Sequence, residues 1–291
     1  MAVQARLNGG LGTALGDGIA SSLISTGSGL LVLLVIVFAS PVGRDAFQRI
    51  REGLRGQQLR WWQCLGGTCG AIYVASQGAS VGSLGVGVFT VAVVGGTTAG
   101  SLGVDRVGLG PGGRRAITAP RIIGAAACVG AVTLAGHERL GDSSSLALLG
   151  LPVLAGLAVA IQSALNARVG AVAGSPWAAT LTNFGVAGTT LCLALPIEFL
   201  FRGPTPGSLP TDPLLYFGGL VGVGVIAIAV TVVRRIGVLV FGLASVSGQL
   251  LGAVLLDALG AHQPPATTLI AVLITFGAVV LAVRPTRATI R

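Results

Sequence analysis

Seven uncharged polar residues stand in stretches of the chain that are otherwise apolar. Most of them carry a carboxamide, which donates and accepts hydrogen bonds but does not act as a nucleophile or a general base. In hydrocarbon such a group must find a partner or face a water-filled space. Two interpretations stay open, hydrogen bonds between helices and the lining of a path for a small molecule. The residues are Gln162, Asn166, Asn183 and Gln249, with Gln4, Asn8 and Thr97.

Two carboxylates, Asp105 and Asp257, occupy matching places at the ends of corresponding apolar segments. An acid at such a place could take up protons or gate a path. A carboxylate at a membrane boundary is also an ordinary solvated anchor. No acid falls convincingly in the middle of a predicted helix, so proton coupling finds no support in the sequence.

No arrangement of residues suggests catalysis. The two histidines lie beside predicted loops without metal-ligand spacing, and the four cysteines show neither metal nor redox spacing. The sequence therefore predicts no enzyme, no metal site and no cofactor. These residues are His137, His262, Cys64, Cys69, Cys128 and Cys192.

The composition requires a membrane. Of 291 residues, 53% are hydrophobic and only 9% are charged, whereas a soluble domain carries about 25% charged residues. A transmembrane helix needs about 20 apolar residues. Candidate spans are 17–40, 61–79, 84–104, 119–136, 146–167, 176–200, 214–233, 236–256 and 266–284, and residues 4–16 resemble the tail of a further helix.

The chain contains an internal repeat of two copies. Gln4, Asn8 and Gly12 match Gln162, Asn166 and Gly170 at a shift of 158 positions, and the stretch from Gly66 matches the stretch from Gly218 at a shift of 152. The predicted repeats are 1–140 and 141–291. Each holds five helices, but the opening helix of the first is truncated, which leaves nine full spans and a stub. Because five is odd, the second copy should enter the membrane from the opposite side.

Arginine positions test this topology independently. The formal charge of +9 comes from 18 basic residues, all of them arginine. They stand between apolar segments and do not cluster on one face, which favours membrane orientation over nucleic-acid binding. If the 41–60 loop is cytoplasmic, fifteen arginines fall on that side and three on the other. The sequence therefore predicts inverted repeats.

Glycine pairs recur at matching places in the two copies. A spacing of four puts both glycines of a pair on one helix face, where another helix can approach closely. We expect these faces to pack around the pseudo-twofold axis. The pairs are Gly66/Gly70, Gly96/Gly100, Gly218/Gly222 and Gly248/Gly252.

The repeated motifs resemble the YdcZ family of the drug/metabolite transporter superfamily. In the second copy they are IQSALNARVG from residue 161, SPWAATLTNFGVAGTTL from 175 and VSGQLLGAVLLDALGAH from 246. In the first copy they are QARLNGGLG from residue 4 and LGGTCGAIYVAS from 65. The family contains short five-helix chains that pair antiparallel and fused two-copy chains, and this chain is similar to the fused kind. Thr97 departs from the family pattern, which has a glutamine there, as at Gln249.

The resemblance implies an all-α integral membrane protein with two inverted five-helix repeats, a pseudo-dimer like the small multidrug resistance proteins. It implies a secondary transporter that exports a small metabolite or drug-like molecule by alternating access. We expect a bacterial cytoplasmic membrane location, a cytoplasmic C-terminus, and membrane lipid and a small-molecule substrate as partners. The halves pair within one chain, so a monomer could suffice. The alternative is a non-transporting membrane protein that acts as a scaffold for a partner or for lipid.

Overall fold

A computed structural model describes residues 1–114, 118–136, 143–203, 208–258 and 266–283, and at some positions after residue 120 it describes only the backbone. Every regular element in these ranges is a helix. The nine α-helices of the described residues are α1 Ala2–Leu15, α2 Gly18–Phe38, α3 Pro41–Arg55, α4 Gly66–Val107, α5 Ala119–Gly136, α6 Ser143–Ala173, α7 Pro176–Arg202, α8 Gly218–Ala258 and α9 Ala266–Val283. Short 3₁₀ helices, Trp61–Leu65 and Pro213–Phe217, precede α4 and α8.

The surface of the bundle is apolar along its helices. Five stretches of the described residues are long and apolar enough to cross a membrane: Gly18–Phe38, Trp61–Val107, Leu148–Ala173, Pro176–Phe201 and Pro213–Val232. Large side chains such as Leu31, Leu193 and Leu200 point outward, the last of them 82% exposed. An apolar surface of this extent is stable in lipid and not in water. The protein is therefore embedded in a membrane.

The first turn of the fold recurs in both copies. Helix α1 ends at Gly16, whose φ of 67° is left-handed, and Asp17 then caps α2 by accepting a hydrogen bond from Ala20 N. Helix α6 ends the same way at Gly174, with a φ of 66°, and Ser175 caps α7. A left-handed residue at a helix C-terminus favours glycine because no Cβ is present to clash. The repeat therefore extends to backbone geometry.

Helix α1 confirms the predicted helical tail at residues 4–16. It has 14 residues, against 31 for its counterpart α6. At 1.5 Å per residue, α1 is about 21 Å long and does not by itself span a hydrocarbon core of about 30 Å.

Helix α4 joins two of the predicted spans. Residues 61–79 and 84–104 lie in one continuous run of helix, broken only at Gly85, where φ is 78° and ψ is 161°. These angles are open to glycine and strained for other residues. Helix α8 likewise contains most of the predicted spans 214–233 and 236–256.

The predicted loop at 41–60 is wrong for most of its length. Residues Pro41–Arg55 form α3, with Ser40 as its N-cap and Pro41 at the first helical position. Ala46, Ile50 and the half-buried Leu54 face the protein and pack against α6 and α7, whereas the arginines of this helix face outward. Helix α3 is thus amphipathic, with its apolar face buried against the bundle and its charged face exposed.

The glycine pairs of α4 and α8 meet different surroundings. A Cβ built on Gly96 would overlap the Val153 carbonyl, and one on Gly100 would lie 3.0 Å from Ala160 Cβ, both on α6. Around Gly248 no described atom lies within 4 Å of such a Cβ, and at Gly252 the nearest is Ala2 Cβ at 3.3 Å. The contact that Val153 of α6 makes with Gly96 therefore has no described counterpart at Gly248, whereas Ala2 of α1 reaches Gly252 as its match Ala160 reaches Gly100.

Candidate functional site

Two adjoining cavities lie between the helices of the two copies. About 490 Å³ of empty space belongs to the central cavity and about 640 Å³ to the side cavity, and both volumes include space outside the protein because each cavity is partly open. Met1, Val159 and Gln162 are among the residues that line both, so the cavities share a wall. The polar wall of the central cavity consists of Gln4, Ser25, Thr26, Tyr73, Gln162 and Asn183.

A cluster of three carboxamides forms the polar part of the second copy. Asn183 Oδ1 accepts hydrogen bonds from Gln162 Nε2 at 3.1 Å and from Asn166 Nδ2 at 2.9 Å. Gln162 and Asn166 are one turn apart on α6, so both reach the same residue of α7. The two bonds use both lone pairs of this oxygen and fix the orientation of all three amides.

The first copy is built differently. Asn8 matches Asn166, but its Nδ2 donates to Gln77 Oε1 at 2.7 Å, and both side chains are fully buried. Asn8 Oδ1 and Gln77 Nε2 have no hydrogen-bond partner among the described residues. The structure thus places Asn8 in a buried pair on α1 and α4, away from the walls of both cavities. The sequence analysis did not identify Gln77, because the sequence does not show which residue of another helix the Asn8 amide will contact.

Four glycines pack against amide side chains of the opposite copy. A Cβ on Gly66 would lie 2.6 Å from Asn166 Oδ1, and one on Gly70 would lie 2.7 Å from Gln162 Nε2. The matching pair in α8 repeats this, because Gly218 faces Asn8 Oδ1 and a Cβ on Gly222 would lie 2.7 Å from Gln4 Nε2. Each copy therefore supplies glycines to the other copy's amides, as an approximate twofold relation requires.

Backbone contacts follow the same relation. A Cβ added to Gly67 would overlap the Asn183 carbonyl oxygen, and one added to Gly219 would overlap the Ser25 carbonyl oxygen. Ser25 and Asn183 match at the shift of 158 positions. Helix α4 thus touches the backbone of α7 as α8 touches that of α2.

The central cavity is nevertheless chemically asymmetric. Two amide nitrogens face Gly70: a Cβ built on this glycine would lie 2.7 Å from Gln162 Nε2 and 3.5 Å from Asn183 Nδ2. One amide nitrogen and one aromatic ring face Gly222: a Cβ built on this glycine would lie 2.7 Å from Gln4 Nε2 and 3.4 Å from Phe184 Cζ. The first copy has Ser25 and Thr26 where the second has Asn183 and Phe184. One side of the cavity is therefore rich in amides and the other is partly aromatic.

The side cavity brings together the remaining predicted polar residues. Thr97 and Gln249 occupy matching positions of α4 and α8 and both line it, as does Asn166. Gln249 Nε2 donates to Ser245 Oγ at 3.3 Å, and Ser245 Oγ lies 3.5 Å from Met1 Sδ. Of the seven predicted residues, all except Asn8 therefore line one cavity or the other.

The predicted carboxylates lie elsewhere. Asp105 is buried in the last turn of α4 and lines neither cavity. The side chain of Asp257, in α8, lies outside the described part of the chain. Close to Asp105, Arg168 of α6 donates from Nε to the Leu109 carbonyl at 2.6 Å and from Nη2 to the Gly108 carbonyl at 3.2 Å. This guanidinium joins α6 to the end of α4.

Potential metal ligands are dispersed over the described residues. No three His, Cys, Asp or Glu side chains come together in these ranges. His137 and His262 lie outside the described residues. Cys64, Cys69 and Cys192 carry free thiols.

Comparison with known proteins gives the family. The chain matches the family model described as "Putative inner membrane exporter, YdcZ" over residues 1–134 and again over residues 147–283. A search of curated proteins finds no match. The two stretches together cover most of the chain and coincide with its repeated sequence. The chain therefore belongs to the YdcZ family of the drug/metabolite transporter superfamily and carries two copies of the family's unit.

Proposed function

We propose that the protein is a secondary transporter that exports a small metabolite or drug-like molecule. One observation carries the proposal: Gln4 and Gln162, matching residues of the two copies, line the same cavity. A site made jointly by two copies of one unit is the arrangement that repeat transporters use for substrate. Membership of a family whose model is described as "Putative inner membrane exporter, YdcZ" supports export as the direction of transport.

The mechanism we propose is alternating access between two inverted halves. The arginine distribution supports the inversion, since a split of fifteen to three follows the positive-inside rule. The reciprocal contacts at Gly67 and Gly219 supply a joint, because a backbone that touches a glycine face can slide without side chains in the way. Rocking about this joint would open the cavity to each face in turn.

Asp105 and Asp257 have a proposed place in gating or proton linkage. They end matching helices, and Asp105 is buried although it is a carboxylate. Inversion would put them near opposite faces of the membrane. A carboxyl group in such a place can release or take up a proton as the helix end moves.

A substrate-independent experiment tests alternating access. Val74, a half-buried residue of the central cavity, is replaced by cysteine in a chain whose native cysteines have been removed. Membrane-impermeant methanethiosulfonate reagents are then applied to right-side-out and to inside-out vesicles. We expect modification from both faces. Phe201→Cys serves as the control, because Phe201 is 82% exposed on the apolar surface and a lipid-facing thiol should not react.

Modification of the cavity cysteine from one face alone would overturn alternating access and favour the scaffold. Export itself is measured as efflux of a mixed panel of labelled metabolites from preloaded vesicles. Asn183→Ala should abolish the efflux that the wild-type chain supports, since it removes the residue that orients both neighbouring amides.

A further inference from the structure

The chemistry of the central cavity limits what it can bind. We propose that the cavity selects uncharged molecules with an aromatic or similar apolar body and one carboxamide- or hydroxyl-type group. The inference rests on the proposed function only in that the bound molecule is taken to be the substrate; binding itself can be measured without transport.

The first step concerns charge. Among the described residues that line the central cavity, no side chain carries a formal charge, and the same holds for the described lining of the side cavity. An ion that leaves water without a counter-charge loses several kcal/mol of hydration. A cation would need a carboxylate and an anion would need a guanidinium or ammonium. The one charge that the described lining could add is the α-amino group of Met1, so an anion is included in the test.

The second step concerns hydrogen bonding. Asn183 Oδ1 already accepts from Gln162 and Asn166, which leaves the Nδ2 donors of Asn183 and further capacity on Gln162. Asn183 Nδ2 and Gln162 Nε2 lie together beside Gly70. A neutral carbonyl or hydroxyl oxygen suits these donors, and a group that also donates can use amide oxygens of the same cluster. A carboxamide does both.

The third step concerns shape. On the other side of the cavity, Phe184 Cζ and Gln4 Nε2 lie beside Gly222. Val74, Val159, Ala187, Val225 and Ile226 complete an apolar lining. An aromatic ring packs favourably against Phe184 in an offset or edge-to-face arrangement. A molecule with a polar group at one end and a ring at the other therefore matches the asymmetry in a single orientation.

Three probes of nearly equal size separate the possibilities. They are phenylacetamide, which is neutral, phenylacetate, which is an anion, and 2-phenylethylamine, which is a cation at neutral pH. Equilibrium binding to the full chain in lipid nanodiscs is measured for each by saturation-transfer NMR, with competition to obtain dissociation constants. We expect phenylacetamide to bind at least about tenfold more tightly than either ion, the difference that about 1.4 kcal/mol produces.

A change of preference gives the sharper test. Gln162→Glu replaces an amide of the cavity with a carboxylate of nearly the same shape, and we expect it to invert the preference, so that 2-phenylethylamine binds about tenfold more tightly than phenylacetamide. A role in folding alone would not produce this inversion. Gln4→Glu provides a second position should the first variant fail to fold. Gln48→Glu, on the exposed face of α3, is the matched control and should leave all three constants unchanged.

The outcomes separate the two proposals. Equal or tighter binding of phenylacetate or 2-phenylethylamine by the wild-type chain overturns the inference, as does no binding of any probe up to its solubility limit. Binding of phenylacetamide without alternating access of Val74→Cys would keep the inference and remove the exporter. Efflux of a charged metabolite without phenylacetamide binding would do the reverse.

Discussion

At the scale of single residues, two glycines hold the copies in backbone contact. A methyl group on Gly67 or Gly219 would overlap a carbonyl oxygen of α7 or α2, respectively. Backbone cannot rotate away as a side chain can, so the helices would have to separate. Overpacking of this kind costs about 1–3 kcal/mol and sometimes more.

We expect Gly67→Ala and Gly219→Ala to lower the free energy of unfolding by similar amounts of about 1–3 kcal/mol. Unfolding in detergent micelles by increasing dodecyl sulfate, followed by circular dichroism, measures the change. The control is Gly27→Ala in α2, where a Cβ meets no described atom within 4 Å. Unchanged stability of Gly67→Ala would mean that α4 and α7 are not in contact at this place.

The sequence shows which helix residues are polar but not which partners they meet. Helical spacing puts Gln162 and Asn166 on one face, and the shift of 158 positions identifies Gln4 and Asn8 as their counterparts. Whether such an amide meets Asn183, Gln77 or a cavity depends on which helices become neighbours, and tertiary packing decides this. Phe184 and Tyr73 line the cavity but read in the sequence as ordinary apolar helix residues.

At the scale of elements, helix α3 shows where composition misleads. Its arginines made residues 41–60 resemble a hydrophilic loop. The start signal was present, since Ser40 followed by proline is typical of a helix N-terminus, and Ala46, Ile50 and Leu54 recur at helical spacing. A search for spans of about 20 apolar residues passes over a helix of 15 residues with one charged face.

The end of α4 is bound by an arginine of the second copy that has no arginine counterpart in the first copy. Arg168 binds the Gly108 and Leu109 carbonyls, whereas its counterpart in the first copy is Gly10. Both carbonyls follow Val107, the last residue of α4, and a cation at this end of a helix interacts favourably with the helix dipole. The guanidinium therefore fixes the start of the segment that follows α4.

We expect Arg168→Gln to loosen this segment without unfolding the protein. Loss of hydrogen bonds to a charged group, worth about 1.5–3 kcal/mol, should raise local opening about tenfold or more. The rate of limited trypsin cleavage after Arg114, an exposed residue, measures the opening in detergent. Arg106→Gln, at an exposed position of α4, should leave that rate unchanged. An unaltered rate in Arg168→Gln would show that other contacts hold the segment.

At the scale of the whole molecule, duplication explains both what recurs and what differs. The turns at Gly16 and Gly174 and the glycine contacts of α4 and α8 recur, because each is a local solution that one unit carries. The Asn8–Gln77 pair, the Asn183 cluster and Arg168 occur once. In a fused chain the two copies evolve separately, so the two sides of their interface need not keep the same residues.

The inversion of the two copies leads to the final prediction. Residue 48 of α3 and residue 208, before the second 3₁₀ helix, lie in segments that correspond between the copies and are exposed. Single cysteines are introduced there, as Gln48→Cys and Ser208→Cys, in a chain without its native cysteines. An impermeant maleimide applied to intact cells should label position 208 and not position 48, because the arginines of α3 favour the cytoplasm. In inside-out vesicles the pattern should reverse, and permeabilised membranes, in which both positions must react, control for accessibility.

Labelling of both positions from one face would mean that the copies are parallel. The reciprocal contacts would then reflect an axis along the membrane normal, and a cavity on that axis could not open to the two faces by the same motion of equivalent halves.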